Sequence, residues 1–310
     1  MSVLKLRGEA PGKVILLGEH AVVYGAPAIG FPLKRRMAVE LVPGAGLISL
    51  SSNEDVEIPA PRDAASPREI IERALGPVFD SHDVHVHYGF PPMSGFGSSA
   101  ALALALVRAR AQHEKTDLEP DEVFKRLLAV ERIAHAKPSG VDPAICMADG
   151  LLHFRRPSAR GKPLTRRIAP AKALNLLVGT VGAHGGARGS ISRVAELKER
   201  SSALVRATMQ ALGEAASTGE RALKKGELEV LGSAMNLAHG ILSGLELVSS
   251  EVDAVVQKAR HVGALGAKMS GAGGEGGAFV ALFPSKKTAE AAEAELRLAS
   301  VHCWLERVAA

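Results

Sequence analysis

A run of small residues, Ser94–Ser99, constrains the fold of this chain more than any other segment. It follows Val84–Tyr88, which alternates polar and apolar side chains as a half-buried strand does, and it precedes an apolar helix predicted over residues 98–112. Glycines let backbone N–H groups crowd a ligand, and a helix that begins directly after them presents free N–H groups to an anion. The residues predicted to cradle a phosphate are Ser94, Gly95, Phe96, Gly97, Ser98, Ser99 and Ala100.

Two better-known phosphate signatures fit this chain poorly. The segment Gly8–Val14 has one residue too few between its glycines for a P-loop, and Val14 stands where that loop needs Ser or Thr. Residues 95–100 match the dinucleotide pattern Gly-x-Gly-x-x-Ala, but that fingerprint leads into a second strand with an acidic residue. This chain instead continues into a second helix, predicted to begin near Pro120. A tight structural turn stays open as the alternative for the loop taken alone.

Two further segments, Pro11–Gly25 and Lys268–Gly277, also place glycines beside charged side chains. Lys13 follows Pro11 and Gly12 and precedes an apolar run, so it is predicted to approach the phosphates rather than to lie on a strand edge. Three such segments in one chain favour a ligand site over three unrelated turns.

Two carboxylates follow the phosphate-loop helix. Glu131 shares a helix face with apolar residues, where an unpaired charge would be costly if buried, and Asp142 lies in a turn between Gly140 and Pro143. Phosphoryl transfer needs one carboxylate for Mg²⁺ and one for the hydroxyl that attacks. Because Mg²⁺ takes a few protein oxygens together with phosphate and water, Ser99 and Glu131 are its predicted ligands. A partly solvated glutamate and a simple turn aspartate are the structural alternatives.

Helical and strand patterns alternate along the chain without a regular βαβ order, which predicts an α+β protein with two domains, 1–165 and 166–310. Residues 51–66 are predicted as a turn-rich excursion, and residues 157–172 as a loop or domain junction. Strands are predicted at residues 4–6, 14–17, 38–42, 174–181 and 278–283, and a short helix near residues 67–74.

Composition narrows the classes of protein. The net charge is +5, but the basic residues are scattered and only 4% of residues are aromatic, which argues against a nucleic-acid partner. The most apolar stretch is too short to cross a bilayer, and we expect a cytoplasmic protein with no membrane partner. Cys146 and Cys303 lie in no metal-ligand spacing and are predicted to be buried thiols.

The three glycine segments resemble the three motifs of the GHMP kinases, a family named for galacto-, homoserine, mevalonate and phosphomevalonate kinases. They stand at the start, middle and end of the chain, so the resemblance covers nearly all of it. Within this family, the chain resembles the mevalonate kinases most. The residues that carry this likeness are Gly-Glu-His-Ala-Val-Val-Tyr-Gly at 18–25, Glu131, and Pro-Ser-Gly-Val-Asp at 138–142. The resemblance implies an N-terminal domain like domain 2 of ribosomal protein S5, a ferredoxin-like C-terminal domain, and ATP bound between them.

The resemblance also implies roles for single residues. Asp142 would be the catalytic base for the C5 hydroxyl of mevalonate, with Lys13 paired to it, and ATP and Mg²⁺ would be the cofactors. The third motif adds Gly271, Ala272 and Gly273 to the nucleotide site. The residues expected near the substrate are Glu19, His20, Arg156 and Ser190. The expected partners are ATP and a small hydroxyl-bearing substrate, with a homodimer left open.

Two segments depart from the family pattern. Glu275 interrupts the third glycine run and is expected to point away from the triphosphate, because a carboxylate there would be repelled. Residues 182–190 replace the usual Lys-x-Pro-Arg-Ser/Thr, and Arg188 and Ser190 are the candidate substitutes. Another GHMP kinase, a diphosphomevalonate decarboxylase and a non-catalytic metabolite sensor therefore stay as alternatives.

Overall fold

A computed structural model describes residues 6–52, 66–134, 138–156, 161–182 and 187–310. These residues form two compact units, one from the segment up to Lys13 and Pro32–Met147, the other from Val14–Phe31 and Ala148–Ala310. The division 1–165 and 166–310 stays a prediction. None of the helices in the described ranges is long and apolar enough to span a membrane.

The described elements up to residue 147 begin with two long strands and end with three helices in succession. They are β1 (Leu6–Leu17), β2 (Pro27–Pro43), β3 (Ile48–Ser52), α1 (Pro67–Leu75), β4 (His82–Tyr88), α2 (Ser98–Glu114), α3 (Pro120–Ala134) and α4 (Val141–Cys146).

The described elements from residue 148 onward comprise six strands and five helices. They are β5 (Leu152–Arg155), β6 (Leu164–Arg167), β7 (Leu174–Val181), α5 (Ala187–Arg200), α6 (Ser202–Lys225), α7 (Leu228–Gly244), α8 (Ser250–His261), β8 (Gly266–Ser270), β9 (Gly277–Phe283), α9 (Lys286–Leu298) and β10 (His302–Val308).

The first unit is organised around helix α2. Its residues Ala100–Val107 are all buried, as expected for a helix that is apolar on every side, because α1, α3 and α4 pack around it. Strand β1 passes so close that a Cβ on Gly8 would lie 1.9 Å from the carbonyl oxygen of Ala105. In the sheet of this unit, β4 pairs antiparallel with β2 and parallel with β3.

The second unit contains a four-stranded antiparallel sheet in the order β10-β7-β9-β8. This strand order, with helices between β7 and β8 and helix α9 before β10, is the ferredoxin-like arrangement that the sequence implied. Helices α8 and α9 pack on the sheet, and every residue of β9 is buried. The beginning of β2 pairs antiparallel with β5, which pairs antiparallel with β6.

Most predicted elements are present, with four differences. The strand predicted at residues 14–17 is the end of a longer strand that begins at residue 6, and β2 begins well before residue 38; residues 4 and 5 lie outside the described residues. The region predicted as a junction contains strand β6, and strand β3 enters the region predicted as turns. The rest of that turn region, residues 53–65, lies outside the described residues. Both cysteines are free and buried, as predicted.

Candidate active site

The phosphate loop is held from inside by its own side chains. Phe96 is fully buried and packs edge-on against Phe90, with 6.5 Å between the ring centroids. The hydroxyl of Ser94 donates to the carbonyl of Pro91 at 2.6 Å, and the Ser98 hydroxyl accepts from the backbone N–H of Met93 at 3.1 Å. These side chains are therefore used to shape the loop, which leaves its backbone as the part that can contact a ligand.

Helix α2 begins at the end of this loop without a side-chain cap. Its N-cap, Gly97, has left-handed backbone geometry at φ 74°, and Gly95 also has positive φ. The first-turn N–H groups at Ser98, Ser99 and Ala100 have no side-chain acceptor of the kind that caps other helices. Such a helix end binds anions, because its N–H groups and its dipole both favour negative charge.

Lys13 and Asp142 meet beside this loop. The lysine is 2% exposed, its Nζ lies 3.3 Å from Oδ1 of Asp142, and it donates to the carbonyl of Gly95 at 3.0 Å. The backbone N–H of Lys13 also donates to the carbonyl of Phe96 at 2.8 Å. A buried cation is thus fixed between the phosphate loop and a carboxylate whose side chain is 32% exposed.

Glu131 belongs to the same neighbourhood, as the thiol of Cys146 shows. Burial raises the pKa of this thiol, and the charges of Asp142 and Glu131 raise it further, whereas Lys13 lowers it. The three predicted charged residues therefore lie close enough to this thiol to influence its pKa. Across the described residues, no group of three or more His, Cys, Asp or Glu side chains has metal-binding geometry.

In the second unit, the first and third motifs contact each other through a buried ion pair. Lys268, on β8, is fully buried and its Nζ donates to Oε1 of Glu19, which is 2% exposed. Lys268 also donates to the carbonyl of Met269. The other carboxylate oxygen of Glu19 is buried and has no protein partner within the described part of the chain.

His20 connects the same two motifs one residue further on. Its Nε2 lies 2.9 Å from the carbonyl of Ala272, and a carbonyl only accepts, so Nε2 carries the hydrogen. Burial lowers the pKa of His20, which favours the neutral ring, and its backbone has the uncommon φ of 58°. Nδ1 of the neutral ring is then left as a hydrogen-bond acceptor.

The third glycine loop has a shape that side chains would prevent. Gly271 and Gly273 have positive φ, and a Cβ on Gly273 would lie 2.0 Å from the carbonyl oxygen of Leu247. The hydroxyl of Ser270 anchors the loop, because it accepts from the N–H of Ile15 and donates to the carbonyl of the same residue, both at 3.0 Å.

The remaining predicted residues are less closely connected to these groups. Ser190 is buried in the first turns of α5 and lines a cavity of about 710 Å³ together with Gly274 and Glu275, whose side chain is exposed. Arg156 directly follows β5 and is half-buried. Among the described residues, neither Arg156 nor Ser190 forms a hydrogen bond with His20. Residues 183–186 belong to the segment 182–190 that departs from the family pattern, and they lie outside the described ranges. His135 and Lys137, between Glu131 and Asp142 in the sequence, lie outside them as well.

Lys268 is the functional candidate that the sequence reasoning did not assign. It stands within the third motif, in the strand Gly-Ala-Lys-Met-Ser, where every residue is buried. A lysine among apolar strand residues needs a countercharge if it is buried. A lysine within an apolar strand was therefore the sequence feature that could have marked Lys268 as a candidate. It does not identify Glu19 as the partner.

Comparison with known proteins places the chain among kinases. The GHMP kinases N terminal domain matches residues 65–150, and the GHMP kinases C terminal domain matches residues 220–301. The chain is 33% identical over 290 residues to the mevalonate kinase of Aeropyrum pernix, covering 89% of this chain and 88% of that protein. It is 32% identical over 292 residues to the mevalonate kinase of Methanothermobacter thermautotrophicus, covering 91% of each.

Solved structures give the same result. The crystal structure of L. major mevalonate kinase in complex with R-mevalonate superposes with a TM-score of 0.81 at 28% identity, over 99% of this chain and 96% of that one. The phosphomevalonate kinase of Streptococcus pneumoniae, solved with phosphomevalonate and AMPPNP, shares the fold with a TM-score of 0.77 at 17% identity, over 97% of this chain and 99% of that one.

Proposed function

The chain belongs to the GHMP kinases, and from this premise we propose that it transfers the γ-phosphoryl group of ATP to the C5 hydroxyl of mevalonate, giving 5-phosphomevalonate. The relatives that match most of the chain are mevalonate kinases. The observation that carries the proposal is the ion pair between Lys13 and Asp142 at the phosphate loop. It supplies the base and the positive charge that phosphoryl transfer to an alcohol requires.

ATP binds with its phosphates against the first turn of α2 and the backbone of Gly95 and Gly97. The unoccupied N–H groups of that turn and the left-handed glycines support this assignment.

Ser99 and Glu131 would hold Mg²⁺. A hydroxyl and a carboxylate oxygen are the hard ligands that Mg²⁺ prefers, and it needs only one or two of them from the protein. When bound, the ion would offset charge on the phosphate oxygens during transfer.

Asp142 accepts the proton of the acceptor hydroxyl as the hydroxyl oxygen forms its bond to the γ-phosphorus and ADP departs. Lys13 holds the carboxylate in place through the 3.3 Å contact and stabilises negative charge that develops on the transferred group. Its burial keeps this charge close to the reaction and away from bulk water.

The acceptor lies against Glu19 and His20. With its Nε2–H donated to Ala272, neutral His20 offers Nδ1 to an acceptor hydroxyl. Arg156 would bind the carboxylate of mevalonate, and Ser190 would contribute a hydroxyl from α5. These four assignments follow the family pattern, with His20 supported most directly by its contacts.

The substrate is tested by measuring ADP release with a panel of acceptors: mevalonate, 5-phosphomevalonate, diphosphomevalonate, homoserine and galactose. We expect turnover with mevalonate. Activity with 5-phosphomevalonate alone would favour the second candidate, a phosphomevalonate kinase, which the shared fold and the altered segment 182–190 keep in view. Nucleotide binding without turnover on any acceptor would indicate a sensor.

The base is tested with Asp142→Asn. We expect kcat to fall by about 10²–10⁴-fold, the usual contribution of a general base, while ATP affinity measured by calorimetry stays near normal. Asp149→Asn is the matched control. The side chain of Asp149 is fully exposed, and its ion pair with Arg167, at 3.8 Å, is a surface contact. Full turnover by the Asp142 variant would rule out the assignment.

A further inference from the structure

A second cavity lies within the second unit and contains none of the residues assigned above. Its volume is about 840 Å³, within the usual range for sites that bind small molecules. It is enclosed by the segment Tyr24–Pro27, strand β5 and helices α5 and α6. Because side chains alternate along a strand, His153 and Arg155 both face this cavity.

The cavity carries an excess of positive charge. Arg155, Lys198 and Arg206 line it, against the single carboxylate of Glu214. Arg155 donates from Nε to the carbonyl of Gly25 at 2.9 Å, and Nζ of Lys198 lies 5.3 Å from the centroid of the Tyr24 ring. Throughout the described ranges, none of the three cations has a carboxylate within ion-pair distance. Such a group of cations favours an anionic ligand.

The wall on β5 includes a buried histidine, His153, that charged neighbours hold in place. It is 7% exposed, and its Nδ1 lies 2.8 Å from a carboxylate oxygen of Glu220. A carboxylate only accepts, so Nδ1 carries a hydrogen, and Nη2 of Arg166 lies 3.3 Å from the same nitrogen. Arg166 and Lys224 hold the other oxygen of Glu220 at 2.6 and 2.7 Å, which fixes this arrangement. The ring is therefore held from its Nδ1 side, and His153 lines the cavity.

The remaining wall is apolar. Val205 and Met209 are buried on α6, and the ring of Tyr24, 44% exposed, lies at the edge of the cavity. A ligand that matches all these features has an anionic head and an apolar chain. A phosphate monoester has negative oxygens for the cations and can carry an apolar chain for the opposite wall.

We propose that this cavity is a second ligand site, separate from the acceptor site, that binds a phosphate monoester of an apolar alcohol. The head group contacts Arg155, Lys198 and Arg206, and the chain lies against Tyr24, Val205 and Met209.

The test is calorimetric titration of the full chain with hexyl phosphate, with and without saturating AMPPNP and mevalonate. We expect one site, at least about tenfold weaker binding of hexanoate, inorganic phosphate and hexanol, and the same affinity when the other ligands are present. Displacement by mevalonate or by AMPPNP would overturn the proposal, because the site would then be part of the catalytic centre. Absence of binding, or equal binding of hexanol, would overturn it as well. Because no turnover is measured, the result does not depend on the acceptor proposed above.

The double variant Lys198→Met, Arg206→Met tests the location of the site. Both side chains are on exposed helix positions, so the fold should tolerate their loss. We expect at least about tenfold weaker binding of hexyl phosphate. The control, Lys286→Met with Lys287→Met, removes the same charge from α9 outside the cavity. An equal loss in the control would show a nonspecific charge effect and contradict the proposal.

Discussion

The ion pair between Glu19 and Lys268 permits a quantitative prediction about stability. The side chain of Lys268 is 0% exposed and that of Glu19 is 1% exposed. Replacing Lys268 by Met keeps the shape of the side chain but leaves a carboxylate in the interior without its countercharge. Two unit charges about 3 Å apart attract each other by about 5 kcal/mol at an effective dielectric constant of 20. Measured losses from breaking such buried pairs are about 3–5 kcal/mol.

We therefore expect Lys268→Met to lower the free energy of unfolding by about 3–5 kcal/mol and the Tm by roughly 10 °C. Urea unfolding followed by tryptophan fluorescence measures the loss directly. The single tryptophan, Trp304, is buried in β10 of the same unit, so its emission reports on the part of the chain that contains the pair.

The double variant Glu19→Gln, Lys268→Met separates the charge effect from a packing effect. It removes both charges, and replacing a buried pair by neutral groups is often close to neutral. We expect it to recover at least about 2 kcal/mol relative to the sum of the single variants. The reasoning would be refuted if Lys268→Met cost less than about 1 kcal/mol, or if the losses of the single variants simply added.

Two further predictions concern the phosphate loop and the behaviour in acid. Gly97→Ala places a Cβ 2.7 Å from Cγ of Lys13 at a left-handed φ of 74°, so we expect kcat/KM for ATP to fall by at least about tenfold, as measured by ADP release. Gly263→Ala, with a φ of 98° and nothing within 4 Å, is the control for backbone strain outside the candidate site, and it should cost only about 1 kcal/mol of stability. Equal losses of activity in the two variants would contradict the role of the Lys13 contact. Burial raises the pKa of Glu220, but hydrogen bonds from its cationic neighbours outweigh it and lower the pKa from 4.5 to about 2. Because the folded-state pKa is depressed, the stabilisation is complete above about pH 4.5 and is lost as the pH falls towards 2. The Tm difference between wild type and Glu220→Gln should shrink over that interval, and a constant difference would argue against it.

The sequence predicted elements whose patterns are local. Strand β7 was predicted with its observed bounds, Leu174–Val181, and the helix after the phosphate loop was found because its apolar residues form a continuous run. Strand β6 was missed because Leu164–Arg167 is exposed throughout and forms only by pairing with β5. Residues 6–17 form one strand although Gly12 lies within it. A glycine fits there because a Cβ at this position would lie 2.9 Å from the side chain of Leu33. Close packing of this kind involves residues distant in sequence and leaves no local pattern.

The same distinction applies to the candidate site. Lys13 and Asp142 were matched through their motifs, and the structure brings them within 3.3 Å. The contact between Glu19 and Lys268 joins residues 249 positions apart, and neither side chain has a local pattern that identifies the other. The second cavity could not be predicted either, because its cations come from β5, α5 and α6 and meet only after these elements pack.

The separation of 249 positions between Glu19 and Lys268 has a consequence for the order of events during synthesis. Residues 14–31 leave the ribosome early, yet they belong to a compact unit whose other members begin at residue 148. At about 5–20 residues per second, Glu19 waits roughly 10–50 s before Lys268 is made. Until then its carboxylate stays in water, because burying it alone would be too costly. The motif that contains Glu19 therefore reaches its final form only when β8 is nearly complete, and a chain that stalls before β8 is expected to remain inactive.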